Sequence, residues 1–281
     1  MAPRRALLLV AVFVFAALSA RRAHANRDPS ELEGGGSLGA HDATLTCGPT
    51  AHVRTASGGF HYDRVFESEG RPPGEGASLD VRAAIGSTTI VQVGDRGFDK
   101  CTAPGGLCPN QSEQIYAANA DRSHFLGSAQ MSGGWDFGTV AIAGGVGYFG
   151  LAEIRDNQFH SKYWPLPSVE ARVGRRTRGW SLKGGLGAPP IAGMARWYST
   201  YAIASYRFKE GGEIGAGVMG VVVADLDKRN GLLFKGAVPI TDWATIGGFG
   251  VIGAANNDLT STAFNWTAGA SMTFTLDAIG Q

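Results

Sequence analysis

The sequence predicts an all-β fold: an antiparallel up-and-down transmembrane β-barrel of about ten strands, within a range of roughly eight to twelve. Three observations carry this expectation. Long segments alternate apolar and polar residues with period two. Glycine is abundant, 42 of 281 residues, and lies inside those alternating runs without a collagen period. The connections between runs alternate between short and long.

Taken in order, Arg4 and Arg5 precede an uncharged run from Ala6 to Ala20, and Ala23-His24-Ala25 puts small residues at the −3 and −1 positions of a cut before Asn26. Residues 1–25 therefore read as a cleavable signal peptide that exports the chain. Arg21 and Arg22 are untidy so near a cut, but the apolar run is short of the roughly 20 residues that a spanning helix needs. Cleavage removes four Arg and turns a formal charge of +1 into −3, with 21 basic against 24 acidic residues. That balance argues against a nucleic-acid partner. Residues 26–76 read as a flexible lead-in, glycine-rich at Gly34-Gly35-Gly36. Within it Phe60 to Phe66 is a candidate short strand, and Arg71-Pro72-Pro73-Gly74-Glu75-Gly76 is a break. The barrel domain is assigned to residues 77–281.

The first regular strand is 78–93, where Leu79, Val81, Ala83 and Ile85 alternate with Asp80, Arg82, Ala84 and Gly86. The last is 263–276. There Phe264, Trp266, Ala268, Ala270, Met272, Phe274 and Leu276 share one face, and Asn265, Thr267, Gly269, Ser271, Thr273 and Thr275 the other. Aromatics near both ends of an apolar face match two girdles around a hydrocarbon band. Eight further strands are expected at 123–133, 136–150, 166–175, 179–188, 195–208, 212–226, 231–238 and 243–254. Tight turns are expected at Gly133-Gly134, 175–178, 209–212 and 239–242, and longer connections at 94–122, 151–165, 189–194, 227–230 and 255–262. A soluble β-sandwich also alternates. Ile214 to Ala224, with no polar face at all, counts against a barrel. Strand lengths beyond the usual five or six residues, wide uncharged bands and terminal aromatics favour one.

Residues 78–276 resemble the bacterial outer-membrane β-barrel class in general. The most specific piece is Thr267-x-Gly269-x-x-Met272-x-Phe274, which is similar to the carboxy-terminal signal read by barrel-assembly machinery. Here the chain runs on past the aromatic to Gln281. The resemblance implies outer-membrane localisation, with membrane lipid and that machinery as partners. It implies no particular activity: a structural role, a narrow channel and a surface-binding role all fit, with a secreted β-sandwich binding module or an outer-membrane hydrolase as alternatives.

Inward parity selects Asp80, Arg82, Glu170, Arg172 and Lys183 as lumen-lining residues. The turn at 175–179 brings Lys183 near Glu170 or Arg172. Such charges must be paired or hydrated; they line a pore or fill the lumen as an ion-pair network. Cys101 and Cys108 flank a Pro-Gly-Gly turn and are a candidate disulfide in an exported chain, with Cys47 left over and the connectivity open. No Cys or His spacing supports a metal site. No cofactor is expected: Gly144-Gly145-Val146-Gly147 and Gly247-Gly248-Phe249-Gly250 lie inside strands, without the helix a phosphate loop needs. Catalysis is not expected either, His160 and Ser161 beside Glu153 and Asp156 being thin candidates for a hydrolytic site. The 94–122 connection, with Asn110, Gln111 and Tyr116, is the candidate site for a surface ligand.

Overall fold

The computed structural model describes residues 30–44, 50–67, 74–93, 123–155, 158–194, 197–209, 211–223, 230–254 and 264–276. The expected signal peptide, the three cysteines of the candidate disulfide reading and the 94–122 connection lie outside these residues. Twelve strands close into one barrel: β1 (Glu31–Thr44), β2 (Thr50–Glu67), β3 (Glu75–Val93), β4 (Ser123–Phe137), β5 (Val140–Arg155), β6 (Gln158–Gly174), β7 (Gly179–Gly187), β8 (Tyr198–Arg207), β9 (Glu213–Val223), β10 (Asn230–Pro239), β11 (Ala244–Ala254) and β12 (Phe264–Thr275). Each strand pairs antiparallel with its sequence neighbours, and β1 pairs with β12 from Glu31↔Thr275 to Ala40↔Trp266. Closure leaves no strand as a free edge along its whole length, although β6 pairs with β7 only from Val169 to Gly174.

Ten of these strands are the ones expected from residue 78 onward. The other two correct the lead-in: β1 and β2 fall within 26–76. The outward face of β1 is Leu32, Gly34, Gly36 and Leu38, and that of β2 includes Arg54 and Arg64, so neither shows a strong apolar stripe. Their pairing to β12 and β3 supplies the order that local pattern lacks. Gly133-Gly134 is not a turn. Both pair within the β4–β5 ladder, with Gly144 and Ala143. The reversal comes at Gly138, whose φ of 79° is the left-handed value that favours glycine. The 151–165 connection is likewise mostly strand, because β5 and β6 stay paired out to Arg155↔Gln158.

The burial pattern is that of a soluble protein turned inside out. Leu38, Ile85, Met131, Val169, Trp180 and Leu182 are each more than half exposed, while Ser37, Thr55, Thr88, Ser132, Ser168 and Thr267 are buried. Contiguous apolar surface on this scale is foreign to soluble monomers, and the closed sheet removes the β-sandwich alternative. Aromatics gather at the end carrying the turns 138–139, 175–178, 208–212 and 240–243. Trp180, Tyr206 and Phe208 meet edge-to-face, Trp243 stacks on Phe274, and Trp135 leans on Phe137.

Candidate functional site: an occluded barrel interior

Two features fill the interior. The first is the connection between β7 and β8, which enters the lumen instead of leaving the rim. A single 3-10 turn, Ala192–Met194, sits against β1, β2, β3 and β12, on the wall across from the strands that carry it. The Gly193 carbonyl accepts hydrogen bonds from Ser37 Oγ at 2.9 Å and Ser57 Oγ at 2.6 Å. Gly193 lacks a side chain for a reason. A Cβ there would lie 2.7 Å from the Phe249 ring and 2.9 Å from the Gly36 backbone.

At its entry this segment is held by Gln130, whose Oε1 accepts from the Ala188 amide at 2.7 Å, and by Arg82, which donates to the Ala188 carbonyl. Ile191, Met194 and Trp197 then pack with Tyr201 and Ile203 of β8, Met219 and Val221 of β9, Leu233 of β10, and Phe249 and Val251 of β11. This explains the absence of a polar face over Ile214 to Ala224. The inward side of β9 meets an apolar plug instead of water. That doubly apolar strand was the sequence signal for the plug, and it reads as evidence against a barrel when the lumen is assumed wet.

The second feature is a charged network toward the turn end. Arg82 reaches Asp80 at 2.7 Å, Glu170 at 2.6 Å and the Tyr201 hydroxyl at 3.1 Å, linking β3, β6 and β8. Glu170 also takes Lys183 of β7 at 2.7 Å and accepts from the Tyr201 hydroxyl. The β6–β7 register sets Arg172 opposite Lys183, and Arg172 turns instead to Asp136 on β4 at 2.5 Å. On the other wall Arg207 bridges Glu31 (3.1 Å) and Glu213 (3.3 Å), and Lys235 pairs with Glu213 at 2.5 Å. Arg176 reaches Asp63 at 3.3 Å.

All five sequence-selected lumen residues thus lie in paired, interior positions. Sequence reasoning missed Glu31, Glu33, His61, Asp63, Arg207, Glu213 and Lys235. Four of these belong to the misread lead-in, where His61-x-Asp63 on one strand face was the available signal. The network lines a cavity of about 550 Å³, running from Thr177, Gly211 and Thr241 at the turns up to Ile191 and Phe249 of the plug. Of the hydrolytic candidates, the backbone register sets position 153 of β5 opposite position 160 of β6. Positions 160 and 161 are consecutive in β6, on opposite faces of the sheet, with Glu153 and Ala152 as register partners; Asp156 lies outside the described residues. Thr267, Gly269, Met272 and Phe274 lie in β12, where Thr267 is buried inward and Met272 is partly exposed outward.

No protein-family model matches the chain, and no curated protein does. Among solved structures it is similar to the transport unit of the autotransporter AIDA-I from Escherichia coli, at 12% identity over 95% of this chain and 97% of that one, TM-score 0.44. It is also similar to an outer membrane channel from Pseudomonas putida F1, at 9% over 91% and 98%, TM-score 0.47. A third likeness is to the outer membrane phospholipase A from Escherichia coli, at 10% over 88% and 92%, TM-score 0.36. These likenesses are loose. The barrel assignment rests on the chain's own closed hydrogen-bond network, and the three activities named differ from one another.

Proposed function

We propose that the chain is an outer-membrane barrel whose lumen is held shut at rest by the β7–β8 segment: a narrow channel with a built-in occlusion. The exposed apolar faces suit a lipid surround, and β12 offers the motif that assembly machinery would read. The observation that carries the occlusion is the Gly193 carbonyl, seated on Ser37 and Ser57 across the lumen from the strands that hold it. A hydrated vestibule of paired charges would lie on the periplasmic side of that seal, since short turns mark the periplasmic end of such barrels.

Planar-bilayer recording tests this directly. The native barrel should be silent or open only in brief events, and a barrel with residues 190–195 replaced by two glycines should conduct steadily. The same apolar packing favours a second reading, a permanently filled barrel with a structural role. If the shortened, correctly folded protein stays silent, that second reading holds.

A further inference from the structure

The vestibule wall formed by β2 and β3 carries side chains that fit a metal ion. His61 and Asp63 are two residues apart on the inward face of β2, and Asp80 is the direct register partner of Asp63 on β3. One donor atom of each lies within 4.8 Å of the others. Glu33 of β1 stands beside them, its Oε2 3.7 Å from His61 Nδ1. All four line the cavity.

Opposed carboxylates on neighbouring strands repel each other unless something cationic sits between them. Arg82 and Arg176 answer this in part, through the Oδ2 atoms of Asp80 and Asp63. A further observation remains unexplained. Asp80 Oδ1 is buried, on a side chain only 9% exposed, and has no hydrogen-bond partner among the described residues. A buried carboxylate oxygen without a partner is costly, and this one belongs to a side chain that borders the open cavity.

We infer that His61, Asp63 and Asp80 form a binding site for a divalent transition-metal ion of the Zn²⁺ class, with Glu33 or water completing the shell. One imidazole and two carboxylates are a donor set that such ions accept, at about 2.0–2.2 Å. His61 Nε2 lies 2.8 Å from Asp80 Oδ2, so the imidazole stands directly beside the carboxylate whose Oδ1 has no partner among the described residues. The local charge allows it. Glu33, Asp63, Asp80 and Glu170 stand against Arg82, Arg176 and Lys183, a net −1 with His61 neutral. Arg82 keeps Glu170 and Tyr201 as partners whether or not Asp80 turns toward a metal. The site holds irrespective of whether the β7–β8 segment moves.

The test uses the mature, tag-free barrel folded in detergent micelles, stripped with a chelator and dialysed against Zn²⁺. One Zn²⁺ per barrel should be retained, and Co²⁺ loaded in its place should give the visible absorption of a nitrogen- and oxygen-ligated ion. His61→Ala and Asp63→Asn should each abolish stoichiometric retention while keeping heat-modifiable gel mobility; Asp63→Asn is near-isosteric and guards against misfolding. Excess Ca²⁺ should not displace the bound ion. Failure of the native barrel to retain Zn²⁺, retention undiminished in a folded His61→Ala/Asp63→Asn double variant, or displacement by Ca²⁺ would each overturn the inference.

Discussion

Along β9 the inward residues run Glu213, Gly215, Gly217, Met219 and Val221, and along β10 they pass from Lys235 to Leu233. Within a few residues of one strand, the interior changes from a charged network at the turn end to an apolar plug farther along. The two regions reach the same end, a filled lumen, by different physics. In the charged region each group depends on a named partner, so losing one leaves another buried and uncompensated. In the apolar region any well-shaped residue would serve, and the cost of a change is the volume it leaves empty. The first arrangement admits water and ions; the second excludes them. A barrel that carries both has a vestibule and a seal.

The contrast is breakable, and the largest effect is expected on the charged side. Arg82→Met leaves Asp80 and Glu170 facing each other without their shared cation, and should cost about 3–5 kcal/mol in reversible urea unfolding. Met194→Ala in the plug should cost about 3 kcal/mol and in addition raise the bilayer conductance, which Arg82→Met would do only if loss of its bond to the Ala188 carbonyl frees the segment. Finding that Arg82→Met is tolerated while Met194→Ala is not would reverse the comparison. The smallest effect is expected from Ser37→Ala, about 0.5–1 kcal/mol, because Ser57 keeps the Gly193 carbonyl paired; unfolding midpoints of the single and the Ser37→Ala/Ser57→Ala double variant would show whether the two hydroxyls act as alternates.

Strand order and facing from Leu79 onward were legible because side-chain direction alternates along a strand without reference to anything else. Thr267 inward and Met272 outward follow from that rule alone. The β6–β7 hairpin was legible for a similar reason: a tight turn fixes register, so Lys183 and Arg172 come opposite each other. Where local signals were weak, reading failed. Gly34-Gly35-Gly36 resembles a linker until β12 and β2 lie on either side of it. Gly133-Gly134 resembles a turn because glycine serves both turns and crowded ladders; a Cβ on Gly134 would lie against the Ala143 Cα at 2.6 Å. The candidate metal site was missed for the same reason as the lead-in: two of its three residues are on β2.

What the sequence determined by itself is the wall: alternating, apolar outside, with charges of known parity inside. Period two is a local property, and each strand reports its own two faces. What only the tertiary structure decided is the closure and the contents. Closing the barrel required β1 to meet β12, residues separated by nearly the whole chain. The plug required an inward cavity lined by Ser37, Ser57 and Phe249 before Gly193 had anywhere to go. Such contacts depend on the shape of a space that exists only once all twelve strands are in place.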